Sequence, residues 1–254
     1  MVRGNTEHGS TMSEVNEWLF PNEATELTDN AVDVWRASLA LGSADLKRLQ
    51  STLNSNEMAR AERFVLERDR NHFIAARGVL RDLLGRYLSC APEAVDFAVG
   101  PRGKPAIHAS HLPHPLCFNL SHSHGLALVA ICREREVGVD VELIRPEFGG
   151  EEIARRYFSQ REVDELKRLP PELQAEGFFL CWTRKEAYIK AKGDGLHIPL
   201  DSFDVSLTPG LPPLLNSADG FRWSLRSLAP GAGYVGAVVS EGRDWKLRLL
   251  SWEP

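Results

Sequence analysis

Only four cysteines occur in the 254 residues, Cys90, Cys117, Cys132 and Cys181, and no two of them form a C-x-x-C pair. That spacing argues against a disulfide framework or a zinc site and leaves reduced, mostly buried thiols. No apolar run approaches the ~20 residues of a membrane-spanning helix. The opening stretch MVRGNTEHGSTMSEVNEW lacks the apolar core of a signal peptide, and its Gly, Ser, Thr and Asn content predicts a flexible leader over residues 1–15. A cytoplasmic location is therefore expected. There is no excess of positive charge: the net charge of −5 argues against a nucleic-acid coat. Also missing are the G-x-x-x-x-G-K-[ST] loop of an ATP-dependent kinase and the G-x-S-x-G elbow of a serine hydrolase.

What is present is an ordinary globular composition, 43% hydrophobic and 26% charged, sufficient for one wide domain or two small ones. AVDVWRASL (31–39) predicts a first strand, and SADLKRLQSTL (43–53) a helix with Ser43 as N-cap. A long helical region follows over 56–87, broken once near 67–71. AVDFAVG (94–100) is a short strand, and CFNLSHSHGLALVAICRER reads as strand, polar corner, strand. Two short helices over 151–157 and 159–168 precede the Pro170-Pro171 break. A long helix then spans 171–192 and stops at GDG (193–195). The tail is strand-rich. This order predicts an α+β fold of two similar-sized lobes, 16–136 and 137–254. The only internal echo is faint, FIAARGVLR (73–81) against FLCWTRKEAYIK (179–190).

Four segments carry chemistry. In VGVDVELI (137–144) one face of a strand is apolar and the other holds Asp140 and Glu142 two residues apart. Such a face either meets water or shares a divalent cation, because paired carboxylates repel without a counter-charge. In CWTRKEAYIKAKGDGL (181–196), Trp182, Glu186 and Lys190 share one helical face; a surface ion pair is the ordinary explanation, with Trp182 in the core. FNLSHSHG (118–125) sets Ser121, His122, Ser123 and His124 beside apolar strands, either as a plain turn or as a phosphate-binding corner. In GKP (103–105), Lys104 is held in a tight turn. Arg60, Arg63, Arg70, His72, Arg77 and Arg81 stud the first long helical region, where most such residues form a solvated face.

Taken together, G-V-D-V-E (138–142), N-L-S-H-S (119–123), G-K-P (103–105) and W-x-x-K-E-A-x-x-K (182–190) resemble the signature segments of the Sfp-type 4'-phosphopantetheinyl transferases, in the branch with Trp-x-x-Lys-Glu-Ala. The resemblance covers about residues 56–206 by motif. It implies transfer of the phosphopantetheine arm of coenzyme A to a serine of an apo acyl or peptidyl carrier protein, with release of 3',5'-ADP. It also implies two pseudo-twofold related α/β lobes, with coenzyme A as substrate and Mg²⁺ as cofactor in the cleft between them, and a monomer. By similarity Asp140, Glu142 and Glu186 hold the metal. Glu186 is the candidate base for the carrier serine, directly or through water, and Lys190 stabilises the pyrophosphate and the leaving oxygen. Lys104, Ser121, His122 and Arg60 match positions on the phosphates of coenzyme A, with His124 as a neighbour. Glu57 and His72 depart from the pattern, standing where the family often has basic residues, and Arg81 matches a recurrent helix arginine. The family's carrier is acidic around its serine, which makes Arg155, Arg156, Phe158 and Arg161 a candidate dock. Two rivals stay open: a Mg²⁺-dependent phosphodiesterase using the same carboxylates, for which G-K-P and S-H-S would be idle, and a carrier-binding module without chemistry, which would be expected to have lost part of the Asp140, Glu142, Glu186 and Lys190 set.

Overall fold

The structure, a computed structural model, describes residues 17–21, 26–100, 104–108, 116–193 and 198–254. The leader expected over 1–15 and most of the GDG stop lie outside the described residues, as does Gly103 of G-K-P. The first lobe runs β1 (Ala31–Ser38), α1 (Ser43–Gln50), α2 (Ser55–Ala61), α3 (Glu67–Leu88), a ribbon of β2 (Phe97–Val99) and β3 (Pro105–Ile107), then β4 (Leu116–Ser123) and β5 (Leu126–Arg133). The second runs β6 (Val137–Leu143), α4 (Glu151–Tyr157), α5 (Gln160–Arg168), α6 (Pro171–Lys192), a ribbon of β7 (Asp204–Val205) and β8 (Leu215–Asn216), then β9 (Trp223–Leu228), β10 (Tyr234–Glu241) and β11 (Lys246–Ser251).

The expected two-lobed α+β architecture is present, and the two lobes share one topology. Strands β1-β5-β4 form one antiparallel set and β6-β10-β9 another in the same order. In each lobe a 22-residue helix follows the first strand. The last strand departs from this division: β11 leaves the second lobe and pairs in parallel with β1, from Ala31 opposite Lys246 to Arg36 opposite Ser251.

Alternation along each strand builds the layers. Val32, Val34, Leu128 and Ala130 pack against Val137, Val139, Val141 and Val238, joining the two sheets face to face. On the far side of the first sheet, Leu49, Val79, Leu80 and Leu83 cover Trp35, Val129 and Ile131. On the far side of the second, Ala187, Tyr188 and Ile189 cover Ala237 and Val239.

Both lobes also repeat a buried ion pair. Glu57 closes a capping box with Asn54 at the start of α2, and its carboxylate then accepts from Arg77 Nε at 2.9 Å and Arg81 Nε at 2.7 Å. Glu162 closes a capping box with Ser159 at the start of α5 and pairs with Lys185 at 2.8 Å. Arg81 and Lys185 are each the fifteenth residue of their 22-residue helices. Glu57 is thus a structural acid, which accounts for the absence of a basic residue there, and Arg81 is structural as well.

Two boundaries differ from the sequence reading. Gly42, not Ser43, caps α1. The break in the first helical region falls at 62–66, because Glu67 and Asp69 already form an acidic first turn of α3, where the helix dipole favours them. Helix α6 ends at Gly193, whose φ of +69° lets its N–H reach the carbonyls of Ile189 and Lys190.

Candidate active site

The site begins with the packing of α6 on β6. Val137, Val139 and Val141 point into the core between the sheets, so Gly138, Asp140 and Glu142 face α6. A Cβ at Gly138 would lie 2.2 Å from the carbonyl oxygen of Ala187 and 2.3 Å from the backbone nitrogen of Ala191. Only glycine lets the helix lie this close. The contact brings Lys190 against the strand: its Nζ donates to Asp140 Oδ1 at 2.6 Å and to Ser121 Oγ at 3.2 Å. Lys190 is thus committed to Asp140 and not, as a surface pair would require, to Glu186.

The second component is the seam between β4 and β6, the facing edge strands of the two sheets. Side chains of β4 replace a backbone ladder. Asn119 Oδ1 accepts from the Val139 N–H at 2.9 Å, Ser121 Oγ donates to Asp140 Oδ1 at 2.7 Å, and Ser123 Oγ donates to Glu142 Oε2 at 2.7 Å. The three lie two residues apart on one face of β4, and their partners run in the same direction along β6. Polar side chains thereby occupy edges that would otherwise present unpaired backbone groups.

This seam separates two neighbours in N-L-S-H-S. Ser121 faces the carboxylates, whereas His122 points to the opposite face of β4, toward the helical side. There His72, Phe64, Arg68 and His124 line a 350 Å³ cavity with it. Partial desolvation and the nearby charges of His72, Lys190 and Arg60 hold His122 below the usual imidazole range. Arg60, over the ring of Phe73 at 5.3 Å, belongs to this positive side of the site. Lys104 stands apart. Its Nζ donates to Glu136 at 2.7 Å and to the carbonyls of Val137 and Ala191 at 3.1 and 3.2 Å, beside a 380 Å³ cavity. That point lies three residues, or about 10 Å, along β6 from Asp140.

The carboxylates carry a charge imbalance. Asp140 is 4% exposed, and its Oδ2 is buried with no hydrogen-bond partner among the described residues. Burial pushes the Glu142 carboxyl up, and the charge on Asp140 adds to this against the hydrogen bond from Ser123. Burial also pushes Glu186 up, with Asp140 and Glu142 adding repulsion and Lys190 offsetting part of it. Asp33, in the corresponding strand β1, shows the contrast. It is fully buried, yet Arg248 and Tyr87 satisfy both its oxygens at 2.5–2.6 Å.

An orphaned, buried carboxylate oxygen beside two carboxyls raised by burial and, to a lesser degree, by neighbouring carboxylates is a donor set suited to a hard divalent cation. Among the described residues no three His, Cys, Asp or Glu side chains stand close enough together to hold a metal ion by themselves. An open set fits Mg²⁺, which keeps water and substrate phosphates among its ligands.

Two positions gain a role that the sequence reading did not give them. Ser123 and Asn119 belong to the seam, and the N-x-S-x-S spacing, period two on a strand, was the available signal. Of the candidate dock, Phe158 is 4% exposed and stacked on Phe178, so it belongs to the core; Arg155 pairs with Glu151, and Arg161 lies 3.8 Å from Asp204.

Comparison with known proteins gives one answer. The family model of the 4'-phosphopantetheinyl transferase superfamily matches residues 136–239, and that of the 4'-phosphopantetheinyl transferase N-terminal region matches residues 35–134. HetI, a 4'-phosphopantetheinyl transferase of Nostoc sp., is 41% identical over 229 residues, 90% of this chain and 95% of the relative. Sfp of Bacillus subtilis is 29% identical over 167 residues, 66% of this chain and 72% of the relative. AcpT of Escherichia coli is 41% identical over 113 residues, 44% of this chain and 55% of the relative.

Proposed function

Because the chain belongs to the 4'-phosphopantetheinyl transferase superfamily, we propose that the junction of β4, β6 and α6 is its active site, moving the phosphopantetheine arm of coenzyme A to a carrier serine. The observation that carries this reading is the packing of α6 on β6 at Gly138, which sets Lys190 on Asp140 and leaves Glu186 within electrostatic reach of Asp140 and Glu142.

In the reaction the serine oxygen forms a bond to the pantetheine-bearing phosphorus, the phosphoanhydride bond breaks, and 3',5'-ADP leaves with the electron pair. Asp140, Glu142 and Glu186 would hold Mg²⁺, which when bound neutralises the pyrophosphate and favours displacement at phosphorus. Lys190, already in the site on Asp140 and Ser121, places a positive charge for the leaving phosphate oxygen. Glu186 takes the serine proton, directly or through one water; burial and neighbouring carboxylates raise its basicity toward that task. His122 and Arg60 offer positive or hydrogen-bonding groups to the nucleotide phosphates on the other face of β4, and Lys104 does so at the far end of β6.

The macromolecular partner is an apo acyl or peptidyl carrier protein, and the enzyme acts as a cytoplasmic monomer. Among the described residues no helix is long and apolar enough to cross a membrane. The test is intact mass spectrometry of apo carriers incubated with the protein, coenzyme A and Mg²⁺, with and without EDTA. A gain of one phosphopantetheine, blocked by EDTA, is expected. No gain on several carrier types by folded protein would leave a carrier-binding module or a phosphodiesterase, and a gain that persists in EDTA would remove the metal.

A further inference from the structure

We infer that Ser123 and His124 form a brace that fixes the Glu142 carboxylate, and that Ser123 dictates which ring nitrogen of His124 carries hydrogen. The inference rests on reading Glu142 as a metal ligand. It starts from hydrogen accounting around one buried hydroxyl. Ser123 Oγ, in a residue 7% exposed, lies 2.7 Å from Glu142 Oε2, 2.9 Å from His124 Nδ1 and 3.4 Å from the Leu143 backbone nitrogen. A serine hydroxyl has one hydrogen to give and two lone pairs to receive. The carboxylate can only accept, so the hydrogen goes to Glu142. The backbone N–H of Leu143 can only donate. Nδ1 of His124 must therefore donate as well, which puts its hydrogen on Nδ1 and leaves the lone pair of the neutral ring on Nε2. With all three positions used, the serine hydroxyl has no free rotation and the carboxylate it holds is fixed in direction.

The turn supports the same reading independently. His124 and Gly125 form the two-residue connection between β4 and β5, with Ser123 paired to Leu126, and their φ angles are +49° and +103°. A two-residue hairpin turn with both φ values positive favours Asn or Asp before Gly. Histidine tolerates the left-handed first position, where Asn or Asp is the commoner choice. Its ring is committed to Ser123, and its carbonyl accepts from Tyr234 Oη of the second lobe at 3.1 Å. The residue is thus held from both lobes, its ring by Ser123 and its carbonyl by Tyr234, and the ring supports the carboxylate through Ser123, as outer-shell partners of metal ligands do.

The test reads the brace without turnover. In 15N-histidine NMR spectra at pH 8.5 the wild type should show His124 with hydrogen on Nδ1, and Ser123→Ala should release it to the opposite tautomer. Mn²⁺ titration in the presence of coenzyme A, with no carrier, should show roughly tenfold weaker binding for Ser123→Ala. Ser123→Thr, which keeps the hydroxyl, should restore it. His124→Asn suits the turn, so it should fold at least as stably while weakening Mn²⁺ binding. Hydrogen on Nε2 in the wild type, or unchanged Mn²⁺ binding in Ser123→Ala, would overturn the brace. Glu142→Gln separates the two layers: if it weakens Mn²⁺ binding while Ser123→Ala does not, the brace alone falls, and if it too has no effect, Glu142 is no ligand and both readings fall.

Discussion

At the scale of single residues, Asp33 and Asp140 show one side chain in two settings, a structural ion pair in the first lobe and the proposed metal site in the second. Arg248 and Tyr87 satisfy both oxygens of Asp33, whereas one buried oxygen of Asp140 has no partner among the described residues. The positions proposed for the nucleotide separate in the same way. Lys104 sits at the end of β6 away from the carboxylates, so Lys104→Ala should raise KM for coenzyme A severalfold and leave kcat within a small factor. Steady-state kinetics checks this, and a pure kcat loss would contradict its place on the nucleotide. Glu186→Gln should instead lower kcat by roughly 10²-fold or more, with coenzyme A binding by calorimetry retained. The carboxylates themselves were legible in the sequence, since alternation in VGVDVELI already put Asp140 and Glu142 on one face. The seam was not. Ser121 and His122 are adjacent letters but point to opposite faces of β4, and only the neighbouring strand shows that the serines serve the carboxylates.

Elements are positioned by a few close contacts. Gly138 admits α6, and a Gly138→Ala methyl would meet helix backbone at 2.2 Å, which no side-chain rotation relieves. That variant should lose both thermal stability and transfer, because the helix carrying Glu186 and Lys190 must move away. In the first lobe Glu57 joins α2 to α3. Removing its charge by Glu57→Gln leaves Arg81, 1% exposed, without its carboxylate, and should destabilise the fold by roughly 3 kcal/mol. Burial alone would raise the Glu57 carboxyl, but hydrogen bonds and charge from Arg81 and Arg77 bring it below its ordinary value. A depressed carboxyl stabilises the native state above the ordinary carboxylate range and loses that contribution as pH falls through its lowered value. Melting temperatures in acid should therefore decline less steeply for Glu57→Gln than for wild type. Sequence punctuation read α4, α5 and α6 well because Pro and Gly bound them. It misplaced the break before α3, where an exposed apolar run, Phe64–Leu66, carries no such signal.

For the whole molecule, the repeat was barely visible in the sequence, where the faint echo set the two long helices out of step. The structure aligns Arg81 with Lys185 by their identical places in those helices and by the acids they bind. An acid–base pair kept with different basic residues preserves the packing and little of the spelling. The crossing of β11 had no local signal, because its alternation would suit either sheet. It locks the last strand to the first through Arg248 and Asp33. Arg248→Met should lower stability in urea by roughly 3 kcal/mol, since Asp33 would remain buried with only Tyr87.

The proposal on which the other activity predictions depend is that phosphopantetheine transfer takes place where β4, β6 and α6 meet. Its most direct test is a single-turnover comparison of wild type and Asp140→Ala, with the mass of an apo carrier followed in the presence of coenzyme A and Mg²⁺ and folding verified by circular dichroism. The wild type should add one phosphopantetheine and the folded variant none. Near-normal transfer by folded Asp140→Ala would place the chemistry elsewhere.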